Sequence, residues 1–237
     1  METEEYAHPE FLVDAAWVAA HLEDSNVVIV DTDVDAAYTR GHIPGAVIVQ
    51  DNWQKNPDTG RVNIMSPGQF KAMCEGLGIG DDTLVITYDN SQSLYATRFW
   101  WAINYYGHSG VKVLDGGWRR WVSEGRPVDL SRTTAATGTT FTPKANEAIM
   151  CRLEELKAAY NQPDVVVWDV RTDGEWDGSG GPRQQRGNLR KGHVPGAVHL
   201  EWFNALDGET HQFKPAGEIR RILSKQGITP DKTVYSY

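Results

Sequence analysis

Short runs of β-branched and aliphatic residues recur along this chain, and stretches of helical spacing separate them. Asn26 to Asp31 is continuous rather than alternating, which predicts a strand buried on both faces. Ala46 to Val49, Thr83 to Tyr88 and Val111 to Leu114 predict three more strands. Helical spacing predicts helices over Phe11 to Leu22, Ser66 to Gly76 and Ser93 to Tyr106, with one turn at Asp35 to Arg40. Ser66-Pro67 is a start signal for the third of these, and Gly116-Gly117-Trp118 opens a closing helix. Strands alternating with helices imply a parallel sheet covered on both faces.

The pattern then pauses. Arg126 to Ala148 is Thr-rich with little apolar periodicity and reads as a surface linker. From Ile149 the alternation restarts, with a helix at Leu153 to Tyr160, a strand at Asp164 to Val170, a helix at Ala216 to Lys225 and a strand at Thr233 to Tyr237. The restart is a repeat. Gly41-His42-Ile43-Pro44-Gly45-Ala46-Val47 returns as Gly192-His193-Val194-Pro195-Gly196-Ala197-Val198. Gly78 to Tyr88 returns as Gly227 to Tyr237, so Tyr88 aligns with Tyr237. Asp31 stands 11 residues before His42, whereas Asp169 stands 24 before His193, so the second copy carries a 13-residue insertion around Asp177 to Arg190. The chain therefore divides into an α/β domain at 11–127, a linker at 128–148 and a second α/β domain at 149–237.

Composition narrows the functional classes. A net charge of −9 and a pI near 5.2 argue against partners such as nucleic acid or an anionic membrane surface. No run approaches the ~20 apolar residues of a spanning helix, and the acidic start lacks a signal-peptide pattern, so a cytoplasmic protein is expected. Two cysteines do not make a disulfide framework, and Cys74 and Cys151, both in helical contexts, are expected to be structural thiols. Asp31 to Asp35 mimics a calcium loop but lacks the required Gly and Glu, and Gly76 to Gly80 lies in the wrong order for a dinucleotide loop. Neither metal nor organic cofactor is expected.

The duplicated Asp…Gly-His-Ile/Val-Pro-Gly-Ala motif, Leu114-Asp115-Gly116-Gly117-Trp118 and Ile228-Thr229-Pro230-Asp231-Lys232 together resemble the tandem-domain rhodanese family of thiosulfate and 3-mercaptopyruvate sulfurtransferases. The resemblance implies two tandem rhodanese-like domains, each a parallel sheet flanked by helices. It implies a catalytic cysteine directly after the strand that ends at Tyr237, and hence a polypeptide continuing for about 40 further residues by analogy with the first copy. The matching first-copy position is Asp89, which marks that domain as the inactive half. The implied activity moves a sulfane sulfur from thiosulfate to cyanide or another thiophilic acceptor through a cysteine persulfide. Use of 3-mercaptopyruvate, or a non-catalytic tandem binding module if no cysteine follows Tyr237, are the alternatives. The expected partners are a small anionic sulfur donor and a thiophilic acceptor, acting on a monomer.

Basic residues in an acidic chain are the candidates for holding that donor. Arg183, Arg186, Arg190 and Lys191 fall in the insertion region, within a stretch from Gly178 to Leu200 that has no acidic residue. Arg190 and Lys191 are expected at the substrate site, with Arg171, two residues past Asp169, holding the sheet edge or the active-site loop. Glu175 stands where some family members have a substrate-contacting arginine. In the mercaptopyruvate branch a His and an Asp of the first-domain motif assist a loop serine, and His42 and Asp31 match them in position.

Overall fold

The computed structural model describes residues 5–60, 63–180 and 192–237. It divides into two compact units. The first comprises His8–Met150 with Glu209–Gln212; the second comprises the residues before His8, Cys151–Gly208 and Phe213–Tyr237.

In the first unit the elements are β1 (Leu12–Val13), α1 (Ala15–Ala20), β2 (Val27–Asp31), α2 (Asp35–Tyr38), β3 (Val47–Ile48), α3 (Pro67–Gly76), β4 (Leu84–Tyr88), α4 (Leu94–Tyr105), β5 (Val111–Leu114) and α5 (Gly117–Ser123). The strands form one parallel sheet in the order β1-β5-β4-β2-β3. Continuous apolar strands serve two cores at once, because successive side chains point to opposite faces. Val30 and Val85 join Phe70, Cys74, Phe99 and Ile103 from α3 and α4. Ile29 and Ile86 join Val18, Tyr38 and Trp121 from α1, α2 and α5.

The sequence predicts one long helix at the start, and the structure has a strand and a shorter helix. Asp14 accepts the Trp17 N–H at 2.7 Å and caps α1, which leaves Leu12 and Val13 to pair with β5. At α3, Pro67 sits in the first turn and the Gln69 side chain accepts the Ser66 N–H at 2.9 Å. The Thr-rich stretch after Arg126 is fastened along the first unit. His42 and Asp129 exchange two backbone hydrogen bonds of 3.0 Å, Thr142 binds Asp81, and Phe141 is buried in the α3–α4 core.

The second unit contains α6 (Leu153–Ala159), β6 (Val165–Asp169), α7 (Asp173–Asp177), β7 (Val198–His199), α8 (Ala216–Lys225) and β8 (Thr233–Ser236). Its parallel sheet has the order β7-β6-β8. Trp168 of β6 faces Ile219, Ile222 and Leu223 of α8 across an apolar cavity of about 40 Å³. The register repeats that of the first unit: Asp31 pairs with Ile48 as Asp169 pairs with His199. Whereas β4 lies between β2 and β5, β8 pairs with β6 alone among the described residues. No helix among them is long and apolar enough to cross a membrane.

Candidate active site

In each unit the last residue of the central strand is an aspartate, and the chain around it is built alike. Asp31 ends β2 and is 4% exposed; Asp169 ends β6 and is fully buried. Each carboxylate accepts the N–H two residues on, from Asp33 and Arg171 respectively, at 3.0 Å. Beside them stand the aligned tyrosines. The Tyr88 hydroxyl accepts the Ile43 N–H at 3.2 Å, and the Tyr237 hydroxyl accepts the Val194 N–H at 2.9 Å. One phenol thus ties the end of the neighbouring strand to the Gly-His-Ile/Val-Pro turn in both units. Each phenol also hydrogen-bonds its aspartate.

The turn histidines are held alike as well. His42 stacks on Tyr38 at 3.7 Å, with Nδ1 3.0 Å from the Tyr38 carbonyl oxygen. His193 stacks on Trp176 at 3.4 Å, with Nδ1 3.2 Å from the Trp176 carbonyl oxygen. The partners are 4 residues apart in one unit and 17 in the other, which puts the insertion between Trp176 and His193. The second ring nitrogen of His42 lies 3.1 Å from the Ser131 carbonyl oxygen, and the ring is fully buried. His42 therefore holds the turn and the Thr-rich strap of the first unit, with neither ring nitrogen free for a ligand. His193 is exposed.

Charge separates the two sites. In the second unit Arg171 grips Asp169 with Nε at 2.9 Å and Nη2 at 2.5 Å, and Nη2 also reaches the Gly192 carbonyl oxygen at 3.1 Å. Its guanidinium lies 5.2 Å from the centre of the Tyr237 ring. Burial works to raise the Asp169 pKa, but the hydrogen bonds from Arg171 and Tyr237 outweigh it and hold the carboxyl below its usual range. In the first unit Asp33 occupies the place of Arg171. Burial pushes the Asp31 carboxyl up to about 7, and the charges of Asp33 and Asp89 add to the rise. Asp31 and Asp33 line a cavity of about 100 Å³ with Arg40, Asn90 and Trp118.

After Tyr88 comes Asp89, 2% exposed. Its Oδ1 accepts the N–H groups of Ser91 and Ser93, and its Oδ2 those of Tyr95 and Ala96, all at 2.8 Å. Two non-glycine residues, Gln92 and Ser93, take left-handed φ values of 61° and 64° to make this loop. The Gly-Gly-Trp motif supports it: Trp118 N–H donates to the Asp89 carbonyl oxygen at 2.9 Å, and a Cβ on Gly117 would collide with that oxygen. Burial raises the Asp89 pKa, and the backbone donors pull the other way.

A rhodanese-like domain model matches residues 14–124 and 152–237. The chain belongs to the rhodanese family of sulfurtransferases. It is 35% identical to the sulfur carrier protein TtuD of Thermus thermophilus, over 98% of this chain and 83% of that protein. It is 30% identical to a thiosulfate sulfurtransferase of Corynebacterium glutamicum, over 98% of this chain and 78% of that protein. SseA from Escherichia coli, solved in a study of 3-mercaptopyruvate sulfotransferases, has the same fold at 23% identity, with a TM-score of 0.84 over 95% of this chain and 87% of that one.

Within this rhodanese, the cysteines lie away from both strand ends. Cys74 is buried in α3, and burial drives its thiol pKa far up. Cys151, expected in a helix, is exposed one residue before the cap of α6. Glu175 folds back on Thr172 as a helix capping box, which accounts for an acid there without any ligand. Arg183, Arg186, Arg190 and Lys191 lie outside the described residues. The sequence motifs do not encode the tyrosine ties directly, although the identical placement of Tyr88 and Tyr237 in the repeat points to them. Among the described residues, no group of His, Cys, Asp and Glu is placed to hold a metal ion.

Proposed function

We propose that the protein moves a sulfane sulfur from thiosulfate to cyanide or a similar thiophile, with a cysteine directly after Tyr237 as nucleophile. The observation that carries this is the replication of the β4 end at the β8 end. In the first unit, the carboxyl one residue past the tied tyrosine accepts four backbone N–H groups. A thiolate at the matching position would gain the same kind of support, which favours the ionised, nucleophilic form over a thiol of pKa about 8.5.

The thiolate attacks the outer sulfur of thiosulfate. The sulfur–sulfur bond of the donor breaks, and sulfite leaves with its electron pair. Cyanide then attacks the terminal sulfur of the persulfide, thiocyanate departs, and the thiolate is restored. Arg171 is a positioning residue here: it fixes the Asp169 strand end and stacks on Tyr237, next to the reacting position. Arg190 and Lys191 supply the positive field for the anionic donor. His42 and Asp31 are assigned to the architecture of the first unit.

The thiosulfate reading draws on the Corynebacterium glutamicum relative, which bears that name. Complete protein incubated with thiosulfate and cyanide is expected to form thiocyanate, and replacing the residue after Tyr237 by serine is expected to abolish it. Pyruvate release from 3-mercaptopyruvate with no thiocyanate from thiosulfate would reassign the donor. Neither product would leave a non-catalytic tandem module.

A further inference from the structure

Arg98, in the middle of α4, is a half-buried arginine that the fold leaves without a carboxylate. In the same unit Arg120 and Arg126 meet Glu124, and Arg132 meets Asp35. Arg98 makes no ion pair and no side-chain hydrogen bond among the described residues, in a chain of net charge −9. Its guanidinium carbon lies 4.8 Å from the centre of the Trp101 ring, one turn further along the helix. A ring against the flat face leaves the edge of the guanidinium, where the N–H donors point, for another partner. Burial pulls the Arg98 pKa down, and no acid opposes it. The same side chain lines a small cleft with Gln54, Asn63, Ile64, Met65 and Phe70. The cleft walls are fixed: Asn56 Nδ2 donates to the Ile64 carbonyl oxygen at 3.2 Å, and the Tyr106 hydroxyl donates to that of Met65. Asn63 Oδ1 accepts the Thr59 hydroxyl at 3.3 Å, while the Asn63 amide nitrogen has no partner among the described residues. Nor does the Gln54 side chain. Three donor groups thus line one cleft, and no Asp or Glu lines it with them.

We propose that this cleft binds a small aliphatic carboxylate, with its head group on the Arg98 fork and the Gln54 and Asn63 amides beside it. A guanidinium edge matches the two oxygens of a carboxylate, and the pairing relieves a partly desolvated cation that has no internal counter-charge. Size limits the choice. The enclosed space is about 10 Å³, room for about one oxygen-sized group. One carboxylate oxygen seats inside, and the other stays at the mouth on the same fork. A tetrahedral anion such as sulfate, phosphate or thiosulfate is too bulky to enter. Ile64, Met65 and Phe70 in the walls favour a short apolar tail over a second charge. The cleft lies within the first unit, so the proposal stands whether or not the second unit transfers sulfur.

The test uses the whole chain, with sodium propionate as the probe. Thermal unfolding of wild type and of R98M is followed in sodium propionate and in sodium chloride at equal ionic strength. R98M keeps a long apolar side chain against Trp101 and removes the fork. The expected result is a rise in Tm of about 3–6 °C for wild type in propionate over chloride, once propionate reaches roughly ten times its Kd, and no such rise for R98M. Equal responses of the two proteins, or a wild type indifferent to the exchange of salts, overturn the proposal. If R98M does not fold, wild type decides by NMR of the Arg98 Nε–H during titration with each salt. A shift that saturates with propionate and is absent with chloride upholds the site. A signal that propionate does not move, or that chloride moves equally, overturns it.

Discussion

The ends of β2 and β6 are the same structure with different charge placed beside the aspartate. Both have a buried aspartate, a tyrosine that ties the neighbouring strand to a Gly-His turn, and a histidine stacked on an aromatic ring. Two residues past the aspartate one has Asp33 and the other Arg171. That substitution turns an acid-lined pocket, where Asp31 is pushed up to about 7, into an ion-paired one, where Asp169 is held low. Architecture was kept in both copies while the neighbour of the aspartate changed from a second acid to a base that pairs with it.

The largest expected effect is at Asp89. D89N puts an amide group where two N–H donors converge and is expected to cost about 3–5 kcal/mol or to unfold the first unit, as read by urea denaturation. Next is the pH response of Asp31. Its folded pKa of about 7 lies above the ordinary carboxylate value, so the native state binds a proton that the unfolded chain has released. The stability it contributes is full below about pH 4 and falls by about 4 kcal/mol as pH rises through 7. D31N is expected to flatten this slope. Asp169 has the opposite sign: its contribution is present above the ordinary carboxylate pKa and is lost as pH falls through its lowered value. D169N should therefore cost most at neutral pH. If both variants shifted the pH–stability curve in the same direction, the contrast between the two aspartates would be wrong.

R171M leaves a buried carboxylate without its partner and is expected to cost the second unit about 2–3 kcal/mol, less than a fully enclosed pair because Arg171 is partly exposed. R171K should recover only part, since an ammonium cannot make the bidentate contact. Smaller still, Y237F removes the acceptor of the Val194 N–H and should cost about 1 kcal/mol in the same assay. The smallest effect is at the cysteines. C151S is expected to leave activity and stability nearly unchanged, and Cys74 should resist alkylation until the protein unfolds.

Much of this was legible in the chain. Strands buried on both faces write themselves as β-branched runs, so Val27–Asp31 and Leu84–Tyr88 were found nearly to the residue. The turn motif and its repeat marked where each site would be. The split of Phe11 to Leu22 was not legible, because a two-residue strand has no period and its existence depends on β5, about 100 residues away. The role of Asp89 was half legible. The repeat put an acid one residue past Tyr88, but the four donors come from backbone geometry that no side-chain pattern encodes. Likewise, nothing in the spacing of His42 foretold that the Thr-rich strap would cap its second nitrogen.

The central claim is that the second strand end carries the chemistry and the first, with Asp89 in that place, does not. The most direct measurement is peptide mass mapping of the complete protein after thiosulfate treatment, before and after reduction. The account predicts one reducible increment of about 32 Da, a single sulfur, on the residue following Tyr237 and none on peptides containing Cys74, Asp89 or Cys151. Turnover of thiosulfate with the sulfur on Cys151, or with no sulfur held past Tyr237, would contradict it.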